Sequence, residues 1–123
     1  MVDGSKMPTV DYKSSFKKVL KIMNEKKLGV VVILKNKFIK GLITDGDLRR
    51  DFKNLNRKDS FDDYITKVPQ IVNISMTASK ALAIMNEKKI TSLLVVSDKD
   101  ITKKNKKLIG IIHIHSLLQS GIK

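Results

Sequence analysis

The segment from Gly41 to Arg50, GLITDGDLRR, contains the residue types and spacing best suited to ligand chemistry in this chain. A β pattern ends at Thr44, a glycine-containing turn follows, and a helix pattern then begins on acidic residues. Backbone N–H groups at the start of a helix favour an anion. Thr44 can donate its hydroxyl to a phosphate oxygen, and Asp47 can accept hydrogen bonds from the vicinal hydroxyls of a ribose or another sugar.

Two arginines follow within the predicted helix. Arg49 and Arg50 could hold a phosphate or a carboxylate through paired hydrogen bonds. A second interpretation is that Asp45 or Asp47 only caps the helix and that the arginines are solvated. The spacing favours neither interpretation over the other.

An internal repeat supplies the elements that would position this segment. The hexapeptide IMNEKK occurs at 22–27 and again at 84–89, sixty-two positions later. Each copy lies in a helix pattern and leads into a β run, followed by a strand that opens on Gly41 or Gly110. A duplication of this kind indicates two copies of one small α/β unit. The apolar helix positions that recur are Phe16, Val19, Leu20 and Met23 in the first copy and Ala78, Ala81, Leu82 and Met85 in the second.

Local signals give each copy the element order β-α-β-β-α. Ser14 or Ser15 is expected to cap the first helix, which runs to about Lys27, and Thr77 to cap its counterpart. The polar turn at 35–37 is short enough to join two strands as an antiparallel hairpin. Further helices are predicted from 45–47, over 61–65, and over 116–120 with Gly121 as a stop.

The run from Val30 to Ile33 is apolar without alternation, so the strand needs cover on both faces. The second copy can supply that cover, which predicts a pseudo-two-fold pair packed sheet to sheet. We divide the chain into a linker at 1–10, a first repeat at 11–58 and a second repeat at 59–123, and residues 53–60 are predicted to form a polar connector. The loop at 97–107 is seven residues longer than its counterpart and is interpreted as a tolerated surface insertion.

Composition restricts the class of protein. The chain has 123 residues, no cysteine and a net charge of +13, and it contains no apolar run that could span a membrane or serve as a secretion signal. A cytoplasmic location without disulfides or thiolate metal sites is expected. Aromatic residues are only 5% and Trp is absent, which leaves few groups for base stacking, so a lysine-rich solvated surface is favoured over nucleic-acid binding. The positive field would still attract small anionic ligands.

The duplicated unit, with Gly41-x-x-Thr44-x-x-Asp47 ending its first copy, resembles a pair of CBS domains, the module named after cystathionine β-synthase. A narrower resemblance is to the C-terminal part of bacterial arabinose-5-phosphate isomerases. It rests on TDGDLRR at 44–50, on KMPTV at 6–10, on Gly29 at the end of the first helix, and on IHIHSLLQSGI at 112–122.

The resemblance implies a regulatory function. Those isomerases interconvert ribulose 5-phosphate and arabinose 5-phosphate, the first step towards the octulosonate sugar of lipopolysaccharide, with an N-terminal sugar-isomerase domain absent from this sequence. The chain alone is therefore expected to have no catalytic residues, and the parent protein to be an aldose-ketose isomerase. CBS pairs bind adenosine nucleotides or related anions, so an adenosine nucleotide or a CMP-sugar is the expected regulatory ligand, with no cofactor required. The alternative is a basic interaction or nucleic-acid-associated CBS protein without a small-molecule ligand.

At the positions that match the CBS pattern, the resemblance implies that Thr44 faces a phosphate and Asp47 the ribose hydroxyls. Their equivalents in the second copy are His113 and Ser116, so that copy lacks the carboxylate. His113 and His115 are predicted two apart on a strand and hence on one face. They could meet a sugar phosphate, reach the isomerase domain, or only form hydrogen bonds at the seam between the copies. The full set of predicted binding residues is Thr44, Gly46, Asp47, Arg49, Arg50, His113 and His115.

No metal site is predicted, because two histidines without a nearby carboxylate fall short of three or four ligands. A homodimer, or half of a tetramer in the parent enzyme, is expected from apolar helix residues that need covering. These residues are Leu48 and Phe52 in the first copy and Leu117 and Leu118 in the second.

Overall fold

The computed structural model describes residues 1–50, 65 and 69–119. They belong to two compact units, one formed by residues 8–68 and the other by residues 1–7 and 69–123. Each unit has the predicted order β-α-β-β-α, which confirms the duplicated α/β fold. The first unit contains β1 (Thr9–Asp11), α1 (Phe16–Lys26), β2 (Val30–Lys35), β3 (Phe38–Thr44) and α2 (Asp45–Arg50). The second contains β4 (Ile71–Asn73), α3 (Ala78–Lys88), β5 (Ser92–Val96), β6 (Gly110–His113) and α4 (Ile114–Gln119).

Helices α1 and α3 begin and end by the same chemistry. The Ser15 hydroxyl accepts from the backbone N–H of Lys18, and the Thr77 hydroxyl from that of Lys80, both at 3.2 Å. Each helix ends on a lysine in the left-handed region, with φ of 56° at Lys27 and 57° at Lys89. The predicted caps are therefore confirmed, with Ser15 rather than Ser14 as the first.

The two sheets have the same topology. In the first, β2 lies between β1, which is parallel to it, and β3, which is antiparallel to it, and β5 takes the same place between β4 and β6. The predicted hairpin at 35–37 is confirmed. Asn36 and Lys37 both have positive φ, 53° and 71°, and such a turn matches the twist of the flanking strands.

The central strands are buried on both of their faces, as the continuous apolar run at 30–33 predicted for the first of them. Val30, Val31, Val32 and Ile33 are each at most 2% exposed, and Leu93 to Val96 at most 1%. A core cluster packs α1 and α2 against the first sheet and includes Val19, Ile33 and Ile43.

Leu48 also belongs to this core and is 4% exposed. The expectation that Leu48 is left for a partner subunit is therefore wrong, because α2 turns this side chain into its own unit. Phe52 lies outside the described residues, as do the predicted connector at 53–60, most of the predicted helix at 61–65 and the predicted stop at Gly121.

Regular structure begins earlier than the predicted linker at 1–10 allows. Thr9 and Val10 belong to β1, and Val2 pairs with Ile111 of β6 through two backbone hydrogen bonds of 2.8 Å. The physical reason is that an edge strand such as β6 offers unpaired backbone groups to any extended segment nearby. The side chain of Met1 packs over Gly110, in the space that a Cβ there would occupy.

The long loop after β5 has a defined hydrogen-bonded shape. One Asp98 carboxylate oxygen accepts from the Asn73 amide and from the Ser75 hydroxyl, each at 2.9 Å, which ties the loop to the end of β4. Asp100 accepts from the backbone N–H of Lys107 at 3.1 Å and forms an ion pair with Lys103 at 3.2 Å. Both contacts lower the pKa of Asp100, and the hydrogen bond from the Lys107 backbone has the larger effect.

Within the described part of the chain, no helix has the length and apolar character needed to cross a membrane.

Candidate ligand-binding site

The candidate site lies where β3 passes directly into α2. Thr44 is the last residue of the strand and Asp45 the first of the helix. The Asp45 backbone N–H donates to the Gly29 carbonyl at 2.8 Å, which fixes this junction to the segment that enters β2. The second unit repeats the arrangement, with the Ile114 N–H donating to the Thr91 carbonyl at 2.8 Å.

Thr44 and Asp47 hydrogen-bond to each other's backbone. The Asp47 N–H donates to the Thr44 Oγ1 at 3.1 Å, and the Thr44 N–H donates to the Asp47 Oδ2 at 3.4 Å. This reciprocal pair has the geometry of a capping box. Of the two interpretations left open by the sequence, capping by Asp47 is therefore present, and Asp45 has a different role.

Capping does not exhaust the hydrogen-bonding capacity of these half-buried side chains. The Thr44 hydroxyl accepts in the cap and retains its own proton as a donor, and a carboxylate has about four acceptor positions. The mutual bonds restrict both side chains to one arrangement. The result is a donor and an acceptor held side by side at the end of a strand.

Arg49 is directed to a partner that the sequence did not predict. Its guanidinium forms an ion pair with the Asp45 carboxylate one turn earlier, and the two side chains are 75% and 41% exposed. Exposed pairs of this kind contribute little to stability, so the pair can open for a ligand at small cost. Gly46 is exposed on the first turn of α2, and the side chain of Arg50 lies outside the described part of the structure.

An open depression of about 480 Å³ lies next to this junction, within the first unit. It is lined by the C-terminal half of α1 together with Gly29, Asp45, Leu48 and Arg49. Neither Thr44 nor Asp47 lines it. The depression therefore does not coincide with the pair of side chains that the sequence singled out.

The two histidines of the second unit lie close together, but not on one strand. β6 ends at His113, and α4 begins at Ile114, so His115 is a helical residue and the strand prediction is wrong. The reason is that the second unit repeats the direct strand-to-helix junction of the first. The two rings stack with centroids 5.0 Å apart and planes at 21°.

His113 occupies the place of Thr44 and takes over part of its capping role. Its Nδ1 accepts from the His115 backbone N–H at 3.3 Å. Ser116, the equivalent of Asp47, is exposed and supplies no carboxylate. Sequence reasoning missed this arrangement, although aligning the repeats across the seven-residue insertion places both histidines at the junction. Among the described residues no three His, Asp or Glu side chains come together as a metal site would require.

Comparison with known protein families gives a match that covers nearly the whole chain. A family model described as the CBS domain matches residues 3–54 and 61–122.

Full-length relatives match over the same region. An uncharacterised protein of Rickettsia prowazekii is 37% identical over 123 residues, covering 99% of this chain and 36% of that protein. The arabinose 5-phosphate isomerase KdsD of Yersinia pestis is 36% identical over 126 residues, covering 99% of this chain and 36% of the enzyme. The chain thus spans only about a third of the length of these relatives.

Solved structures share the fold. The crystal structure of CBSX2 in complex with AMP superposes with a TM-score of 0.78 at 23% identity, covering 99% of this chain and 92% of that one. A CBS-domain-containing protein of Agrobacterium tumefaciens superposes with a TM-score of 0.75 at 20% identity, covering 94% and 90%.

Proposed function

This chain belongs to the CBS-domain family, with two copies of the domain, and from that premise we propose that it is the ligand-binding regulatory part of an arabinose-5-phosphate isomerase. Its ligand is an adenosine nucleotide or a sugar nucleotide such as a CMP-sugar. The observation that carries the proposal is the β3–α2 junction, where the Thr44 hydroxyl and the Asp47 carboxylate hold each other in place.

The chemistry of that junction suits a nucleoside monophosphate. The Thr44 hydroxyl donates to a phosphate oxygen, and the Asp47 carboxylate accepts from the ribose hydroxyls. Because the two side chains already restrict each other, little side-chain entropy remains to be lost on binding. CBSX2, a structural neighbour of the chain, was crystallised with AMP, which supports this ligand class.

The link to a sugar-phosphate isomerase rests on the match with the Yersinia pestis enzyme, of which the chain spans 36%. We assign isomerisation to the part of such enzymes outside the match and regulation to this part. In that role the chain works in the cytoplasm, in the pathway to the octulosonate sugar of lipopolysaccharide. His113 and His115 then serve a second contact surface, for a sugar phosphate or for the isomerase domain.

The net charge of +13 favours a second candidate function, a basic interaction or nucleic-acid-associated protein without a small-molecule ligand. The two candidates differ in their dependence on salt. Binding to nucleic acid weakens steeply as salt rises, because each neutralised phosphate releases counterions. A pocket that recognises one nucleotide shows a much shallower dependence.

A thermal-shift screen tests the leading proposal. AMP, ADP, ATP, CMP and a CMP-sugar are added to the purified chain at constant ionic strength. A specific ligand at 100 times its Kd is expected to stabilise the folded state by about 2.7 kcal/mol, and so to raise Tm by several degrees. No shift with any of these compounds would contradict the proposal. So would pentose-phosphate isomerase activity in the same preparation.

We also propose that the chain forms a homodimer through its helical faces. Leu118 of α4 is 54% exposed, and the equivalent position in α2 is Arg49. Light scattering at micromolar concentration is expected to give twice the chain mass of 13.9 kDa. Leu118→Lys should shift the protein towards monomer, because it places a charge in the apolar contact, whereas the matched control Arg49→Lys should not. A monomeric wild-type protein would contradict the proposal.

A further inference from the structure

Three lysine side chains converge on one aromatic ring in the first unit. The ammonium nitrogens of Lys13, Lys35 and Lys40 lie 5.7, 5.2 and 4.9 Å from the centroid of the Tyr12 ring. All three distances fall within the range of a cation–π contact. We call these four residues the Tyr12 lysine cluster.

The backbone brings these lysines together from three different strand ends. The Tyr12 N–H donates to the Leu34 carbonyl at 2.8 Å, which places the ring beside the end of β2, where Lys35 lies. Across the hairpin, Ile33 pairs with Gly41 and Leu34 with Ile39. Lys40 is therefore the extra residue of a β-bulge, a feature that redirects a side chain.

The cluster concentrates positive charge on the surface. All three lysines are exposed, and among residues 1–50, 65 and 69–119 none of them forms an ion pair with a carboxylate. The nearest acidic residue in sequence, Asp11, accepts a hydrogen bond from the Lys13 backbone N–H at 3.0 Å. Because all three ammoniums lie within 5.7 Å of one point, no two are separated by more than twice that distance. The Debye length at physiological salt is about 8 Å, so mutual repulsion persists between those ammoniums that lie closer together than this.

The second unit shows that the fold itself does not require this arrangement. The equivalents of Tyr12, Lys13 and Lys35 lie sixty-two residues later in the sequence. The equivalent of Lys40 follows the seven-residue insertion and lies sixty-nine residues later. They are occupied by Ile74, Ser75, Ser97 and Ile109. Neither a lysine nor an aromatic residue remains, although the strands pair in the same way.

We propose that the Tyr12 lysine cluster binds a run of consecutive phosphate groups. Ammonium groups act as compact point charges for phosphate oxygens, and a short phosphate chain can contact several of them at once. The ring is already bordered by ammoniums, so the ligand is recognised by its phosphates and not by stacking of a base. The phosphates belong either to a free oligophosphate or to the backbone of a single-stranded nucleic acid.

The cluster is separate from the site at Thr44. Thr44 is the last residue of β3 and Lys40 precedes it by four positions, so their Cα atoms are at most about 13 Å apart along the strand at about 3.3 Å per residue. Binding at the cluster therefore does not depend on the function proposed for the β3–α2 junction.

Calorimetry with inorganic tripolyphosphate, at constant ionic strength, tests the proposal. The test variant combines Lys13→Gln, Lys35→Gln and Lys40→Gln. The control removes the same charge elsewhere, by Lys17→Gln, Lys18→Gln and Lys104→Gln, all at exposed positions. We expect the test variant to bind about tenfold or more weakly, because several charge-assisted hydrogen bonds are lost. The control should stay within about twofold of wild type, since only the long-range field changes.

A single-stranded oligothymidylate distinguishes the two sources of phosphate. If the ligand is a nucleic-acid backbone, the oligothymidylate binds. In the test variant, the slope of the logarithm of the binding constant against the logarithm of the salt concentration then becomes shallower by about 2, at roughly 0.7 for each lost phosphate contact. If the ligand is a free oligophosphate, the chain binds tripolyphosphate but not the oligothymidylate. If the triple variant does not fold, Lys40→Gln alone replaces it.

Equal losses in the test and control variants would overturn the proposal, as would no tripolyphosphate binding by the wild-type chain. Binding of polyglutamate in place of either phosphate probe would also overturn it and would indicate an acidic protein partner. AMP affinity should be the same in the test variant and the wild type.

Discussion

Replacing Asp47 by alanine is expected to weaken AMP binding by ~1.5–3 kcal/mol, a factor of about 10 to 150. The carboxylate is the proposed acceptor for the ribose hydroxyls, and its removal leaves those hydroxyls without a partner in the complex. The same carboxylate also accepts from the Thr44 backbone N–H. The variant should therefore also lose about 0.5–2 kcal/mol of stability through the missing cap. Calorimetry and urea denaturation measure the two effects separately.

Two controls separate the ligand contact from the cap. Asp47→Asn keeps an oxygen that can accept from Thr44 but removes the charge, so its stability should stay close to wild type while its affinity falls. Ser116→Ala changes the equivalent position of the second unit, which has no carboxylate, and should leave AMP binding unchanged. If Asp47→Ala lowered stability and left affinity unchanged, Asp47 would only be a helix cap.

Truncating Ile43 to alanine is expected to lower the free energy of unfolding by about 2–5 kcal/mol. Ile43 is fully buried in the first core, where it packs with Val31, Ile33 and Leu48. Removing three carbon atoms there leaves a cavity that close-packed neighbours fill only in part. Urea denaturation, monitored by far-UV circular dichroism, measures the difference in the free energy of unfolding between the variant and the wild type.

The matched control is Ile74→Ala, because Ile74 is 52% exposed. Its effect should stay within about 0.5 kcal/mol, as is usual for surface substitutions. Equal effects at the two positions would mean that the first core does not support the stability of the chain. Because Ile43 precedes Thr44 on β3, the destabilised variant should also reach half-loss of AMP binding at a lower urea concentration than wild type.

Features that depend on neighbours in the chain were predictable from the sequence. The caps at Ser15 and Thr77 involve a hydroxyl and an N–H three residues apart, and the hairpin depends on two polar residues between β patterns. The duplication then extended these local predictions to the whole fold. The β3–α2 junction was located by the spacing of Thr44 and Asp47 in the first copy, because that spacing suits either a helix cap or a ligand.

The sequence alone determined the two α/β units, their element order, their buried strands and the segment most suited to a ligand, because these follow from periodicity and local hydrogen bonding. Only the tertiary structure decided which partners the side chains take. It buried Leu48 in its own unit, paired Arg49 with Asp45, and began α4 early enough to stack His115 on His113. It also brought together Tyr12, which follows β1, Lys35 of β2 and Lys40 of β3. Contacts of this kind depend on sheet register and helix orientation, which arise from packing of the whole unit and leave no mark on any short stretch of sequence.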